Sequence, residues 1–283
     1  MAQFTNQARL AYNNTTVNSN VAVGELVEAI TATKNSLEES YDNSTTITYT
    51  VSLVNTSTNA LTGLTLTDNL GAYTFLTNTL YPLTYKPDST QVIVNGVVTA
   101  TPTVTAGPPL TISGINLPAN GTAVIIYQAL VNDFAPVPVG SSITNTVTIT
   151  GSGLVNPVVA NHTLPVSNEP LLNITKSISP VPVTENSTIT YTLLIENRGN
   201  TAADAGAALV ITDTFDPILS NIAVSLNGAP LAPTSYTYDS ASGLFTTTAG
   251  SITVPAATSS QNPVTGEWTI VPGQTTLTIT GTI

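Results

Sequence analysis

The run Thr46-Ile47-Thr48-Tyr49-Thr50 recurs as Thr188-Ile189-Thr190-Tyr191-Thr192, and this recurrence decides the fold class. Threonine alternates with larger apolar residues at a period of two, which is typical of a β-strand with one face in a core. β-Branched and aromatic side chains also favour pleated surfaces. A pattern that returns along the chain indicates repeated domains. The sequence therefore predicts two related all-β domains.

Further landmarks recur around each run. A lysine stands twelve residues before it, and a strand that ends in Thr-Asp follows it, giving Lys34 and Asp68 in the first repeat and Lys176 and Asp213 in the second. Each repeat later has an Asn-Gly pair, which is a strong hairpin signal. Short alternating strands between turn signals indicate tandem immunoglobulin-like β-sandwiches.

The two repeats end differently. The first continues into the strand 143–150, whereas the second reaches Ile283 without a matching strand. The same pattern stands at the front of the chain, in residues 4–12, where Asn6 takes the place of Asn145. We therefore expect three parts: an N-terminal donor strand with its linker (1–20), a complete sandwich (21–165) and an incomplete sandwich (166–283).

An incomplete sandwich exposes apolar side chains and unpaired backbone groups. A strand from a second copy of the chain would cover both, which is β-strand complementation. The apolar face of the predicted donor strand consists of Phe4, Ala8, Leu10 and Tyr12. Two alternatives stay open at this point, since the segment could be a frayed terminus or could fold back onto its own chain.

Three polar residues of each repeat share a strand face with apolar neighbours, because side chains alternate along a strand. Burying a lysine, an aspartate and an asparagine is costly unless they match one another. Burial favours a neutral amine, which is a nucleophile, and a protonated carboxyl, which can polarise a carboxamide. Attack of the amine would expel ammonia and leave an amide crosslink, helped by the fixed positions of the groups. The alternative is a buried Lys–Asp ion pair that the asparagine caps. The two sets are Lys34, Asp68 and Asn145, and Lys176, Asp213 and Asn6.

These strands together resemble the bacterial conserved-repeat, immunoglobulin-like domains of cell-surface proteins. The Lys/Asp/Asn sets are similar to those of self-linking domains in Gram-positive pilins and collagen-binding adhesins, and in size and composition the chain resembles clostridial endospore appendage subunits. The resemblance implies two crosslinks. Lys34 would join Asn145 within the first sandwich, promoted by Asp68, and Lys176 would join Asn6 of the next copy, promoted by Asp213.

Composition narrows the function classes. Only five Lys and Arg residues stand against sixteen Asp and Glu, a net charge of −11, which leaves no footprint for nucleic acid or for an anionic membrane surface. The absence of cysteine excludes disulfides and thiol catalysis, and a single histidine, His162, argues against a His-based metal or catalytic site. We expect no cofactor and no metal, and no enzymatic activity beyond self-linking. No signal-peptide pattern and no membrane-spanning apolar run are recognisable.

The expected function is that of a structural subunit of a head-to-tail extracellular fibre, of the pilus or spore-appendage type. Its partner would be a further copy of itself, and its location the extracellular space or the spore surface. The alternative is a surface adhesin or carbohydrate-binding module of unknown ligand, with Trp268, Tyr236 and Tyr238 as a candidate sugar platform.

Overall fold

β-Strands carry the architecture, and no α-helix occurs in residues 2–26, 29–100 and 102–283, which the computed structural model describes. Two short 3-10 turns, Ala205–Ala207 and Pro233–Ser235, interrupt the strands. The chain divides into two units. Unit 1 comprises Met1–Glu39, Ser44–Asn132 and Thr144–Leu164, and unit 2 comprises Ser40–Asn43, Asp133–Ile143 and Pro165–Ile283.

The N-terminal segment contributes β1 (Ala2–Asn6), β2 (Arg9–Tyr12), β3 (Thr15–Asn18) and β4 (Ala22–Leu26). The sandwich of unit 1 is built from β5 (Ile30–Ser36), β6 (Thr46–Asn55), β7 (Leu61–Asp68), β8 (Tyr73–Phe75), β9 (Asn78–Leu80), β10 (Leu83–Tyr85), β11 (Gln91–Val94), β12 (Val97–Val98), β13 (Thr103–Thr105), β14 (Leu110–Leu117), β15 (Thr122–Val131), β16 (Ser142–Thr150) and β17 (Val158–Pro165). Unit 2 is built from β18 (Leu172–Ser179), β19 (Thr188–Asn197), β20 (Thr212–Thr214), β21 (Ser220–Leu226), β22 (Ala229–Pro230), β23 (Tyr236–Asp239), β24 (Leu244–Thr247), β25 (Thr258–Gln261), β26 (Trp268–Val271) and β27 (Gly273–Thr282).

Two sheets form the sandwich of unit 1. One has the strand order β12-β11-β15-β6-β5, and the other has the order β13-β14-β7-β16-β17. Alternate side chains of β6 and β15 are buried, as the period of two requires. The core thus lies between the two sheets, and all-β architecture, predicted from the sequence, is confirmed.

Unit 2 repeats the first sheet of unit 1 but only part of the second. Its larger sheet has the order β18-β19-β27-β21-β22, and its smaller sheet has the order β20-β24-β23. The register agrees closely, since Lys34 lies opposite Val51 in unit 1 and Lys176 lies opposite Leu193 in unit 2. The strands β18, β19, β27, β20 and β24 therefore correspond to β5, β6, β15, β7 and β14.

The aspartate strands show where the correspondence stops. Asp68 in β7 lies between Leu110 of β14 and Val147 of β16, so that β7 is paired on both sides. Asp213 in β20 lies opposite Phe245 of β24, and no described strand pairs with its other side. Unit 2 thus has no counterpart of β16 among the described residues, and none of the neighbouring β17 either.

The N-terminal segment forms a two-stranded hairpin. β1 pairs with β4 and β2 pairs with β3, around a tight turn at Asn13-Asn14. Both turn residues have positive φ, 44° and 59°, which asparagine tolerates and which gives the twist that hairpins favour. The structure therefore differs from the predicted single strand 4–12 followed by a linker, since the strand is interrupted after Asn6 and part of the predicted linker is β3.

Candidate functional site: two Lys–Asp pairs and an open sheet edge

The first Lys–Asp pair is sealed in the core of unit 1. Lys34 Nζ lies 2.5 Å from Asp68 Oδ2, and both side chains are fully shielded from solvent. The alternation of β5 turns Lys34 inward beside Ile30, while β7 turns Asp68 inward beside Leu66. Asp68 Oδ1 accepts a hydrogen bond from the Leu70 amide at 2.6 Å. Because water does not reach this ion pair, neighbouring protein groups must stabilise both charges.

Two tyrosines complete the surroundings of the amine. Lys34 Nζ lies 4.5 Å from the ring centroid of Tyr49 and 5.6 Å from that of Tyr127, within cation–π range. The two rings stack with centroids 5.6 Å apart. The Tyr127 hydroxyl donates a short hydrogen bond to Asp68 Oδ2, the oxygen that Lys34 also contacts. Lysine, aspartate and phenol therefore meet at one oxygen atom.

Asn145 brings the third predicted residue to the same core. It lies fully buried on β16, two residues before Val147, the register partner of Asp68. Its Oδ1 accepts a hydrogen bond from the Gly71 amide at 3.2 Å. Its Nδ2 is buried and has no acceptor at hydrogen-bond distance among the described residues. The Asn145 carboxamide is therefore held in this core through its oxygen atom.

Electrostatics favour reactivity of the amine. Burial lowers the pKa of Lys34 from 10.5 to about 8, although the charge and the hydrogen bond of Asp68 act in the opposite direction. Desolvation therefore outweighs the ion pair, and the neutral, nucleophilic amine is more accessible than in water. Burial, reinforced by Asp68, raises the pKa of the Tyr127 phenol well above 10, and contact with Asn145 opposes this rise.

His162 also borders this core. It lies on β17, and its Nε2 is 2.9 Å from Ser36 Oγ. Partial burial, followed by the nearby charge of Lys34, lowers the pKa of this imidazole. Alternate residues of β17, Ala160 and Leu164, are buried, and this alternation was the available signal for the strand.

The second Lys–Asp pair repeats the first in an open setting. Lys176 Nζ lies 2.5 Å from Asp213 Oδ2, yet 39% of the lysine side chain and 15% of the aspartate side chain are exposed. The amine lies 4.4 Å from the Tyr191 ring centroid, as Lys34 lies over Tyr49. Asn6, the predicted third member, lies exposed in the N-terminal hairpin opposite Ala22 and is not part of this pair.

The whole lysine strand of unit 2 is uncovered. Every residue of β18 is exposed, whereas Ile30 and Lys34 of the equivalent β5 are buried. The apolar side chains Leu172, Ile174 and Ile178 are 38%, 50% and 39% exposed. Together with the unpaired side of β20, they define an open face of unit 2, which we call the open edge.

The N-terminal hairpin exposes the apolar side chains of the predicted donor strand. All four predicted donor residues are exposed, and the three larger ones, Phe4, Leu10 and Tyr12, are 58%, 63% and 55% exposed. The ring of Phe4 lies across Gly24 on the partner strand, where a Cβ atom would approach it to 2.3 Å. A glycine here lets the aromatic ring lie flat on the hairpin. Neither strand pair joins a further sheet in the described chain.

Other candidate sites are less developed. Tyr236 and Tyr238 pack against the core of unit 2, where Tyr238 donates a hydrogen bond to the Leu219 carbonyl at 2.8 Å, so they do not form an exposed sugar platform. Residues 2–26, 29–100 and 102–283 hold no group of three or more His, Asp or Glu side chains arranged for a metal ion. The same residues contain no helix long and apolar enough to cross a membrane.

These features define the chain as a tandem, immunoglobulin-like β-sandwich protein with a repeated Lys–Asp pair. No protein-family model and no curated protein matches it. Among solved structures it is similar to the collagen-binding domain of a Staphylococcus aureus adhesin (12% identity, 50% of this chain and 99% of that chain, TM-score 0.32). It is also similar to the pilus backbone protein RrgB of Streptococcus pneumoniae (12% identity, 86% and 55%, TM-score 0.34). A third is BcpA, the major pilin subunit of Bacillus cereus (12% identity, 96% and 73%, TM-score 0.35). Identities and TM-scores are low, and the function proposed below rests on this chain's own strands and side chains.

Proposed function

We propose that this protein is the structural subunit of an extracellular fibre in which the N-terminal hairpin of one copy fills the open edge of the next. The observation that carries the proposal is the unpaired side of β20 beside the uncovered strand β18. Unpaired strand edges and exposed apolar faces are unfavourable in water and favour strand addition. Such a fibre belongs outside the cell or on a spore surface.

Unit 1 supplies the template for this assembly. There, β16 pairs with the aspartate strand β7, and β17 lies beside β16. The vacancy in unit 2 therefore has room for two strands, and the hairpin provides two. When Asn6 is aligned with Asn145, Phe4 and Leu10 fall at the positions of the buried Ile143 and Ile149. Because both β16 and β17 lack a counterpart in the described part of unit 2, we expect donation of the complete hairpin and not of a single strand.

Docking would also change the chemistry of Lys176. Covering β18 with the hairpin would remove the 39% exposure of the lysine side chain and create surroundings like those of Lys34. Desolvation would then lower the pKa of the amine, and Asn6 would stand where Asn145 stands in unit 1. The amine would attack the asparagine Cγ, and Asp213 would take up protons from the attacking nitrogen. The lysine ammonium and the carboxamide would become an amide bond and an ammonium ion.

Within unit 1 the same reaction would join Lys34 to Asn145, with Asp68 as proton acceptor. Each bond forms once, so the chain is a self-modifying structural protein and not an enzyme with turnover. The internal bond would tie β5 to β16, and the intermolecular bond would tie each copy to the next. Strand addition alone would build the fibre, and the amide bonds would lock it against denaturants.

Electron microscopy of the purified full chain tests the proposal. We expect fibres from the wild type, and monomers from a variant that lacks residues 2–26. Leu10→Asp, on the apolar face of the hairpin, should block assembly, whereas its matched control Ala11→Asp, on the other face, should not. A synthetic peptide of residues 2–26 should shorten growing fibres. Fibres from the deletion variant would contradict the proposal.

A further inference from the structure

The three predicted residues do not provide a complete path for proton transfer at the Lys34 site. Formation of the amide bond removes two protons from the Lys34 ammonium and must deliver one to the Asn145 nitrogen before that nitrogen leaves as ammonia. Asp68 can accept protons from the amine, because its Oδ2 lies 2.5 Å from Nζ. No hydrogen bond joins Asp68 to Asn145 Nδ2 among the described residues, since that nitrogen has no partner.

Tyr127 contacts Asp68 directly, on the oxygen that Lys34 also contacts. Its hydroxyl donates to Asp68 Oδ2, and the Asn145 side chain acts on the same hydroxyl, opposing the rise in its pKa. The residue is fully buried, and its ring stacks on Tyr49, which fixes the position of the phenol. Burial also keeps the phenol neutral, so that it can pass on a proton only by giving one and receiving one together.

We propose that the Tyr127 hydroxyl is the proton relay of the self-linking reaction, carrying a proton from Asp68 to the departing nitrogen of Asn145. This inference rests on the crosslink of the proposed function. The amine passes a proton to Asp68 and its nitrogen bonds to Asn145 Cγ. Protonated Asp68 then donates to the phenol oxygen while the phenol proton moves to Nδ2. Asp68, again a carboxylate, takes the second proton from the Lys34 nitrogen; the Cγ–Nδ2 bond breaks, and the departing ammonia accepts this proton and leaves as ammonium.

The relay is specific to unit 1. Tyr127 lies opposite Tyr49, and at the equivalent position of unit 2 Ile279 lies opposite Tyr191. The Lys176 site therefore has the amine, the carboxylate and the aromatic ring beneath the amine, but has no phenol in this position. Ile279 fills the same place in unit 2, so a sandwich of this kind does not require a phenol at this position.

The test follows the single turnover of the full chain. Chain purified in denaturant from inclusion bodies is diluted to start folding, and intact mass reports the loss of one ammonia with time. The Leu10→Asp background keeps the chain monomeric, so that only the internal bond is followed. We expect Tyr127→Phe to fold at the wild-type rate, measured by circular dichroism, and to link about a hundredfold more slowly, the lower end of the effect of a positioned acid–base group.

Tyr85→Phe is the matched control, since it removes a buried hydroxyl of the same unit that is hydrogen-bonded to Thr90 and not to Asp68 or Asn145, and it should link at the rate of the parent. Replacing Tyr127 by 3-fluorotyrosine, a more acidic phenol of nearly the same size, should change the linking rate but not the thermal stability. Equal linking rates for Tyr127→Phe and its parent would overturn the relay alone. A parent chain that folds and never loses ammonia would overturn both the relay and the internal crosslink.

Discussion

The two Lys–Asp pairs have the same local geometry and different surroundings. In each, the amine lies 2.5 Å from a carboxylate oxygen and over a tyrosine ring, yet the Lys34 side chain is fully buried and that of Lys176 is 39% exposed. The difference comes from β16 and β17, which are present in unit 1 and have no described counterpart in unit 2. The lysine and aspartate strands therefore bring the pair together, and the strands beside them decide whether it is dry and whether it meets an asparagine.

The largest expected effect separates the two asparagines. Asn6→Ala should still yield fibres in electron micrographs, but boiling in detergent should reduce them to monomers, because the bond between copies is lost. Asn145→Ala should keep the detergent-resistant ladder, since its bond lies within one copy. Denaturing gels of the two variants make the comparison. A ladder that survives Asn6→Ala would show that the bond between copies lies elsewhere.

The next effect concerns stability. In Asn145→Ala, in which Lys34 cannot link, the further change Lys34→Met should lower the free energy of unfolding of unit 1 by about 3–5 kcal/mol, because it leaves the buried carboxylate of Asp68 without its partner. In a monomer that lacks residues 2–26, Lys176→Met should cost less than about 1 kcal/mol, as for other partly exposed pairs. Urea denaturation measures both. Equal costs would mean that the exposure of Lys176 has no energetic consequence.

A pH series sharpens the same contrast in chains that cannot link. In Asn145→Ala, Lys34 keeps a folded-state pKa of about 8 against 10.5 when unfolded. The unfolded chain then binds more protons between these values, so the stability of unit 1 should increase by about 2–3 kcal/mol from about pH 8 to pH 10. Above pH 10 this increase in stability should stop. The phenol of Tyr127 ionises there in the unfolded chain but stays protonated in the folded chain, because its folded-state pKa is raised, and this difference favours unfolding.

The matched reference is Lys34→Met combined with Asn145→Ala, which lacks the titrating amine. Its unfolding free energy, measured in urea across the same pH range, should lack this increase. An identical pH dependence in both chains would show that Lys34 is not desolvated in the folded state.

Much of the framework could be predicted from the sequence because it depends on local alternation. The strands β6 and β19 contain the two recurrent runs 46–50 and 188–192, where threonine alternates with larger apolar residues as the sequence pattern predicts. β14 is hard to recognise from the sequence, because its alternation changes phase. Ile112 and Ile115 are both buried although an odd number of residues separates them, since the register shifts at Gly114, which has a φ of 86°.

The surroundings of the site were harder to predict because they depend on pairing across strands. Tyr127 stands in the apolar run Val124-Ile125-Ile126-Tyr127, where nothing in the sequence distinguishes it from a core residue. Its hydrogen bond to Asp68 follows from the register that places it opposite Tyr49. The N-terminal hairpin was missed for a related reason, since the pairing of β1 with β4 depends on the Asn13-Asn14 turn between them.

The smallest expected effect on the stability of the monomer concerns the apolar side chains of the open edge. Ile30 is fully buried on β5, and the equivalent Leu172 on β18 is 38% exposed. Ile30→Thr should therefore destabilise unit 1 by about 2 kcal/mol or more, whereas Leu172→Thr should change the stability of the hairpin-deleted monomer by no more than about 0.5 kcal/mol.

In the full chain, Leu172→Thr should raise the concentration at which fibres begin to grow, by about tenfold for each 1.4 kcal/mol of lost contact. Thr175→Ser, on the other face of the same strand, is the control and should assemble at the wild-type concentration, as light scattering can report. If Leu172→Thr also assembles at that concentration, the hairpin does not cover β18, and the likeness between the two units ends at their lysine strands.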